Sequence, residues 1–475
     1  MSLTDKIITH PGDVIKIAGV PGAGKTTEVV RLAERESKKS ILYLSFGKQN
    51  TRNAKRKMPK NVTCASFHSF AYSNMGIDKK RVIPSINLSQ YCNSLALIDI
   101  EMRSPVLLEC FSLLNDFFCM SGLPLNQANS LFSDTAFPNV TKGELAGVLK
   151  AFLKWWKACW EQGSTIPITH DMYFKAYSLN CSPVAFDYLI IDECQDLNNA
   201  MFAMSIRLNT LSPKMKMVRL GDPCQQLFGF RGSSEQFANG GFDLTIEKTH
   251  RFGKRLCNVV NDFMAVQTVP HYTRIKSEKD HTVIQENPGL EKIISNARAG
   301  MKQTIIAKYN ISLWHILKAF SLNNVKCSML GGVDIKEFDF LKQLYRIYVS
   351  GEVGNYGRLR GVSYERYRMQ ASINRDNAAI LACKFIENIE QGGLDVFRKI
   401  ESHLTSPAKA DIMLTTVHQA KGLEFKNLIM MDDFAEATSG RYFQTLPREE
   451  AYLIYTAMTR AIDSLSLPSS WRNVV

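Results

Sequence analysis

The segment Gly19-Val-Pro-Gly-Ala-Gly-Lys-Thr26 lies between an apolar run, Val14-Ile-Lys-Ile-Ala18, and a helical pattern. It fits G-x-x-x-x-G-K-[ST], and the strand–loop–helix context restricts what the chain can fold into more than any other stretch does. Its glycines let successive backbone N–H groups wrap a phosphate chain, and the helix N-terminus adds partial positive charge. Lys25 is then placed to reach the β- and γ-phosphates, and the Thr26 hydroxyl to ligate Mg²⁺. Gly19, Gly22, Ala23, Gly24, Lys25, Thr26 and Thr27 are the candidate nucleotide-binding residues. The loop alone implies a nucleoside triphosphate and no particular reaction.

Short apolar runs alternate with helical patterns around it. Val14–Ala18, Ile41–Ser45, Val62–Ser66, Tyr188–Ile191 and Met215–Leu220 read as buried parallel strands, and Thr304–Ala307, Ile412–Thr415, Leu428–Met431 and Ser464–Leu467 as a second set. Strands separated by helices make βαβ units, so the expected class is α/β with two parallel sheets. Between 74 and 183 the pattern is helical and aromatic, with Trp155, Trp156 and Trp160 expected in a core. A length of 475 residues suits two to four domains. No run approaches the roughly 18 apolar residues of a membrane span, and the N-terminus lacks a secretory pattern. The eleven cysteines show no Cys-x-x-Cys pair, so reduced thiols are expected rather than disulfides or zinc. A formal charge of +13 suits a polyanionic partner.

After the run Tyr188–Ile191 come Asp192-Glu193-Cys194-Gln195-Asp196. A carboxylate at a strand's C-terminal end can hold Mg²⁺, and the next one can polarise a water toward the γ-phosphate. Thr26 and Asp192 are thus the metal-ligand candidates and Glu193 the candidate base. The second acid favours an ATPase over a nucleotide kinase.

The run Leu220-Gly-Asp-Pro-Cys-Gln-Gln-Leu-Phe-Gly-Phe-Arg-Gly232 resembles the G-D-x-x-Q-x-I-Y-G-W-R-G box of the UvrD/PcrA/Rep helicases of superfamily 1. Ser45-Phe-Gly-Lys48 resembles T-F-T-N, and Ser66-Phe-His-Ser69 resembles T-F-H-S. Thr249-His-Arg-Phe-Gly253 is similar to N-Y-R-S, most closely as F-box DNA helicases carry it. Thr416-Val-His-Gln-Ala-Lys-Gly-Leu-Glu-Phe425 resembles T-x-H-x-x-K-G-L-E-F, and Tyr455-Thr-Ala-Met-Thr-Arg-Ala461 resembles Y-V-A-x-T-R-A. The matches run in the family's order from Gly19 to Ala461.

The resemblance implies two RecA-like P-loop domains with ATP in the cleft between them. They would comprise 1–73 with 184–243 and 244–350 with 410–475, with a helical insertion at 74–183 and a reduced one at 351–409. It implies that Gln225 senses the γ-phosphate, that Arg251 and Arg460 act as arginine fingers, and that Glu424 touches the ribose. An inserted arginine is worth about 10³–10⁵ in rate because it meets charge spread over the phosphoryl oxygens.

A track for single-stranded DNA is implied as well. Phe228 and Phe230 stand where the family stacks Tyr and Trp on bases, with Arg231 beside them, and Phe46, Phe67, His68 and His418 match further track positions. Stacking contributes about 1–3 kcal/mol per base without reading sequence. For Phe46 and Phe67 a place in the core is the alternative. The cluster Arg52, Lys55, Arg56, Lys57 and Lys60 is either a phosphate contact or a solvated helix face. The aromatic-basic run Tyr356, Arg358, Arg360, Tyr364, Arg366, Tyr367 and Arg368 is either a strand or duplex contact or structural.

The sequence departs from the family in lacking a glutamine before Gln49, where the family reads adenine, and in carrying His250 for the base-stacking Tyr. Hydrolysis is therefore a firmer expectation than a preference for ATP over other nucleotides. With 15 residues after Arg460, no appended nuclease domain is expected. The expected activity is that of an ATP- and Mg²⁺-dependent helicase moving on single-stranded DNA, 3′→5′ as the family does, and engaging single/double-strand junctions as a monomer. Protein-stripping translocation with little unwinding, or a nucleotide-gated DNA-binding switch, are the alternatives. The expected location is the cytoplasm of a bacterial or phage-infected cell, or the nucleus of a eukaryote. Replication, repair, recombination and anti-phage defence are all compatible with the residues.

Overall fold

The computed structural model describes residues 2–131, 140–229, 232–233, 235–332, 335–355, 357–389, 393–439 and 442–471. Two compact units divide the chain: Met1–Gly19 with Gly24–Ile246, and Val20–Ala23 with Glu247–Val475.

In the first unit, β1 (Val14–Gly19), β2 (Ile41–Ser45), β3 (Val62–Ser66), β4 (Tyr188–Asp192), β5 (Lys216–Gly221) and β6 (Leu244–Ile246) form one parallel sheet in the order β3-β2-β4-β5-β1-β6. β2 and β4 are buried along their whole length, as continuous apolar runs in a covered parallel sheet should be. On one face Ile15, Ile17, Tyr43 and Ile190 pack on Val29 and Leu32 of the helix Lys25–Arg35. On the other, Leu42, Leu44, Leu189 and Ile191 share a single core with the helices Phe67–Met75, Leu88–Ala96, Pro105–Met120, Lys142–Cys159 and His170–Asn180. Trp155 and Trp156 are 0% and 3% exposed in that core, and the Trp155 indole N–H donates to Ser94 Oγ at 2.9 Å.

The second unit repeats the plan. β7 (Val283–Glu286), β8 (Gln303–Ala307), β9 (Cys327–Met329), β10 (Ile412–Thr416), β11 (Phe425–Met430) and, after a short hairpin of β12 (Thr438–Ser439) and β13 (Tyr442–Phe443), β14 (Ala461–Leu467) are its strands. The parallel order is β7-β14-β11-β8-β10-β9. Helices Asn310–Leu322, Ile335–Ser350, Asn377–Glu387 and Leu394–His403 bury Trp314, Phe338, Phe385 and Phe397 against it. Two parallel sheets flanked by helices are the α/β class expected, in the form of two RecA-like domains.

All nine expected strands of the two sheets are present, with ends displaced by at most three residues. The three missing from the sequence reading, β6, β7 and β9, are edge strands of three or four residues. β6 and β7 are only partly buried, so their apolar signal is weak.

Candidate active site

Three strands of the first unit end at the same edge of its sheet. β4, β5 and β1 are neighbours, with Ala18 opposite Gly221 and Ile191 opposite Arg219. Their C-terminal ends are therefore level, which is where open parallel sheets bind ligands. β1 delivers the glycine loop, β4 delivers Asp192 and Glu193, and β5 delivers Asp222 through Gln225.

Gly24 adopts φ +78° as the N-cap of the helix Lys25–Arg35, a left-handed backbone that favours glycine. The Lys25 side chain folds back so that Nζ donates to the Gly19 carbonyl at 2.8 Å. A Cβ on Gly19 would meet Lys25 Cγ and Cδ at 3.0 Å, so glycine there makes room for the lysine. Thr26 is half-buried and Thr27 exposed on the first turn. Within the second unit, the Thr249 hydroxyl donates to the Pro21 carbonyl at 2.7 Å and the His250 amide to the Gly22 carbonyl at 2.9 Å. A Cβ on Gly22 would come within 2.5 Å of Arg251 Cβ.

Asp192 is 6% exposed. Its carboxylate accepts from the Tyr43 phenol and, at 3.0 Å, from the Glu193 amide. Burial, and then the Glu193 charge, push its pKa up, against the hydrogen bond from Tyr43 and the Lys25 charge. Burial, reinforced by the Asp192 charge, pushes the Tyr43 hydroxyl well above its ordinary range, so it remains a donor. Glu193 sits at φ +57°, a conformation that costs a non-glycine residue of order 1–3 kcal/mol and clusters at functional sites. Gln195 Nε2 donates to Glu193 Oε2 at 2.6 Å, and its Oε1 accepts the Asp222 amide at 3.1 Å. Gln225 Nε2 donates to Asp222 Oδ2 at 2.8 Å. Glu193 and Gln225 are thus ends of one hydrogen-bonded chain whose inner members are 2–4% exposed.

Thr26 and Asp192 offer hard oxygen donors. Mg²⁺ takes one or two such protein ligands and completes its shell with water and substrate phosphate, so the donor set fits that ion.

In the second unit, Glu424 and Arg460 immediately precede the adjacent strands β11 and β14, where Phe425 lies opposite Ala461. The Phe425 amide donates to the Arg460 carbonyl at 2.9 Å. Arg251 Nη2 lies 2.6 Å from Glu424 Oε1, and Nη1 donates to the Thr459 carbonyl at 2.6 Å. Arg460 is 2% exposed, with Nε donating to the Thr456 carbonyl at 3.1 Å and Nη1 to the Leu423 carbonyl at 3.4 Å.

Of the expected DNA track, Phe46 and Phe228 come together, ring centroids 5.2 Å apart at 30°, both half-buried. His68 pairs with Asp171 at 3.0 Å and lies 5.0 Å from the Phe174 ring. Phe67 is corrected. It is 0% exposed, its ring edge-on to Phe174 at 6.2 Å, because the first helical turn after β3 points it into the core while His68 faces outward. It offers no surface to a base. His418 is half-buried on the short helix Val417–Ala420 that follows β10. Phe230 and Arg231 lie outside the described residues.

Sequence reading missed three members of the site. Gln195 and Asp222 stood inside quoted motifs, where a polar residue between two acids or after a strand was the available signal. Tyr43 stood in an apolar run and gave none.

Comparison with known proteins finds related sequences along the chain. A UvrD-like helicase C-terminal domain model matches residues 381–470, an AAA domain model matches 5–231, and a viral superfamily 1 RNA helicase core domain model matches 156–310. The chain is similar to F-box DNA helicase 1 of Gallus gallus, at 24% identity over 99% of this chain and 49% of the relative. It is also similar to F-box DNA helicase protein 1 of Schizosaccharomyces pombe, at 25% identity over 96% of this chain and 56% of the relative. The chain thus spans about half the length of the curated relatives it matches.

Proposed function

From these matches we propose that the chain is a UvrD-like superfamily 1 helicase, an ATP-dependent DNA helicase that moves 3′→5′ on single-stranded DNA and couples hydrolysis to unwinding. The observation that carries the reading is the single sheet edge from which β1, β4 and β5 present Lys25, Asp192 with Glu193, and Gln225. A phosphate-binding lysine, a metal-binding carboxylate, a base and a polar sensor are the parts that phosphoryl transfer to water requires.

In this reading the backbone from Gly19 to Gly24 and Lys25 hold the triphosphate. Thr26 and Asp192 hold Mg²⁺, which when bound neutralises charge on the phosphate oxygens. Glu193 accepts a proton from the attacking water, its carboxylate oriented by Gln195 at 2.6 Å. Gln225, tied to the same hydrogen-bonded chain, reports on that water. Arg251 and Arg460 supply positive charge to the transition state. Phe46 and Phe228, with His68, His418 and the Phe230-Arg231 dipeptide, contact the strand, and junctions of single and double strand are the working substrate. Stacking on rings that ignore base identity suits a motor that must pass over any sequence.

Phosphate release with and without single-stranded DNA, run across the four nucleoside triphosphates, tests the reading. Stimulation by DNA supports it, and turnover indifferent to DNA removes the nucleic acid from it. Strand displacement on a 3′-tailed duplex against a 5′-tailed one then tests the direction.

A further inference from the structure

β2 and β4 are parallel neighbours, with Tyr43 opposite Ile190 and Ser45 opposite Asp192. Paired residues, and residues two apart on one strand, project from the same face of a sheet. Tyr43 and Asp192 therefore share a face, one diagonal step apart, and a phenol is long enough to cover it. The closer neighbour, Ser45, is short, and its hydroxyl is held by Thr51 Oγ1 at 2.7 Å. The Tyr43 ring is 1% exposed in the core it shares with Val29 and Leu32 of the P-loop helix, and its hydroxyl leaves that core only to donate to Asp192 Oδ2. Asp192 Oδ1 takes the Glu193 amide at 3.0 Å. Each carboxylate oxygen thus has one donor fixing it, and an ionised carboxylate with about four acceptor sites keeps the rest for a cation.

We propose that Tyr43 is a positioning residue for the metal-binding carboxylate, orienting Asp192 toward Mg²⁺ through a hydrogen bond from the core side; the inference rests on Asp192 being a metal ligand. Partners that orient a ligating group typically change metal affinity or activity by about 10–100-fold when removed. A ring locked in the core is well suited to the task, because its hydroxyl cannot follow the carboxylate if the carboxylate turns.

The test uses Mn²⁺ as the probe, titrated into the 475-residue chain with ADP and followed by the electron paramagnetic resonance of free Mn²⁺. Tyr43→Phe deletes one oxygen and is expected to weaken Mn²⁺ binding about ten-fold or more and to raise the Mg²⁺ concentration for half-maximal ATPase activity by a similar factor. A role limited to packing would lower Tm and leave the Mn²⁺ affinity of the folded protein in place, and that result overturns the proposal. Should Phe prevent folding, Tyr43→Leu removes the same hydroxyl and is read in the same way. Asp192→Asn separates the two levels of inference. If it leaves Mn²⁺ affinity intact, Asp192 is not a ligand and both ideas fall; if it abolishes binding while Tyr43→Phe binds as wild type, only the role of Tyr43 falls.

Discussion

The Arg251 guanidinium and the Glu424 carboxylate form one ion pair, Nη2 to Oε1 at 2.6 Å, in which the arginine side chain is 10% exposed and the glutamate 47%. Family resemblance assigns these residues separate tasks, one on the phosphates and one on the ribose. Under the proposed function their contact would make the two tasks depend on each other, since Glu424 sets where the Arg251 guanidinium points. Arg251→Ala is expected to lower kcat by about 10³–10⁵-fold with a small effect on KM. Glu424→Ala should lose less, and the double variant should be no worse than Arg251→Ala, because residues acting as a unit are non-additive. Steady-state ATPase kinetics on the three proteins measure this; additive losses would show that the ion pair has no part in turnover.

Lys25 owes its place to the local backbone, its Nζ donating to the Gly19 carbonyl. Lys25→Ala should therefore abolish phosphate release while leaving Tm within a degree or two of wild type. Turnover at the wild-type rate would remove the loop as the nucleotide site.

Glu193 is held by Gln195 and carries a left-handed backbone. Glu193→Gln keeps the shape and removes the proposed base, so nucleotide should still bind, read by a fluorescent ATP analogue, while single-turnover hydrolysis slows by about 10²–10⁴-fold. Preserved single-turnover rates would pass the role of base to another group.

The parts of the site visible in the sequence were those whose chemistry demands a residue type at fixed spacing. A glycine loop must precede its lysine, and two acids must follow a strand, so Lys25, Asp192 and Glu193 stood out as candidates, and the strand order places them along one edge of the sheet. Burial obeys no such rule. Phe67 and His68 are consecutive letters of one box, yet one is in the core and the other is 23% exposed, because one helical residue step turns the side-chain direction by about 100°. Tyr43 is one more apolar letter in a strand until β4 is placed beside β2. The reach of a side chain across two strands depends on register, and register is a property of the assembled sheet. β6, β7 and β9 were hidden for a related reason: an edge strand of three or four residues is too short to show a period, and β6 and β7 are besides only partly buried.

Phe228 lies against Phe46, the rings tilted by 30° with centroids 5.2 Å apart, and both residues are half-buried. A base added to that pair would gain about 1–3 kcal/mol, so Phe228→Ala should weaken single-stranded DNA binding by roughly 5- to 150-fold. Basal ATPase activity should hardly change, whereas the DNA concentration for half-maximal stimulation should rise by the same factor. Equal losses of basal and stimulated turnover would assign the pair to packing.

Lys175 gives the helical segment a distinct pH signature. It is 0% exposed, and its ammonium donates to the carbonyls of Ser121 and Leu123, each at 2.7 Å, and to Ser121 Oγ at 3.3 Å, with the Phe118 ring 4.4 Å away. All three donors are thereby used to cap the chain where the helix Pro105–Met120 ends. Burial lowers its pKa from 10.5 to about 8, with the neighbouring Cys119 opposing the shift. Below pH 8 the lysine is charged in both the folded and unfolded chain, and the full cost of burying the charge is present. Between pH 8 and 10.5 the unfolded chain binds more protons than the folded one, so stability rises with pH, by roughly 3 kcal/mol over the window. Lys175→Met leaves the carbonyls unpaired and so does not simply stabilise, but it must remove this slope. Urea midpoints at pH 7.5 and 9.5 check the point: the wild-type midpoint should climb relative to that of the variant. Parallel changes would mean that the buried ammonium keeps its ordinary affinity for protons.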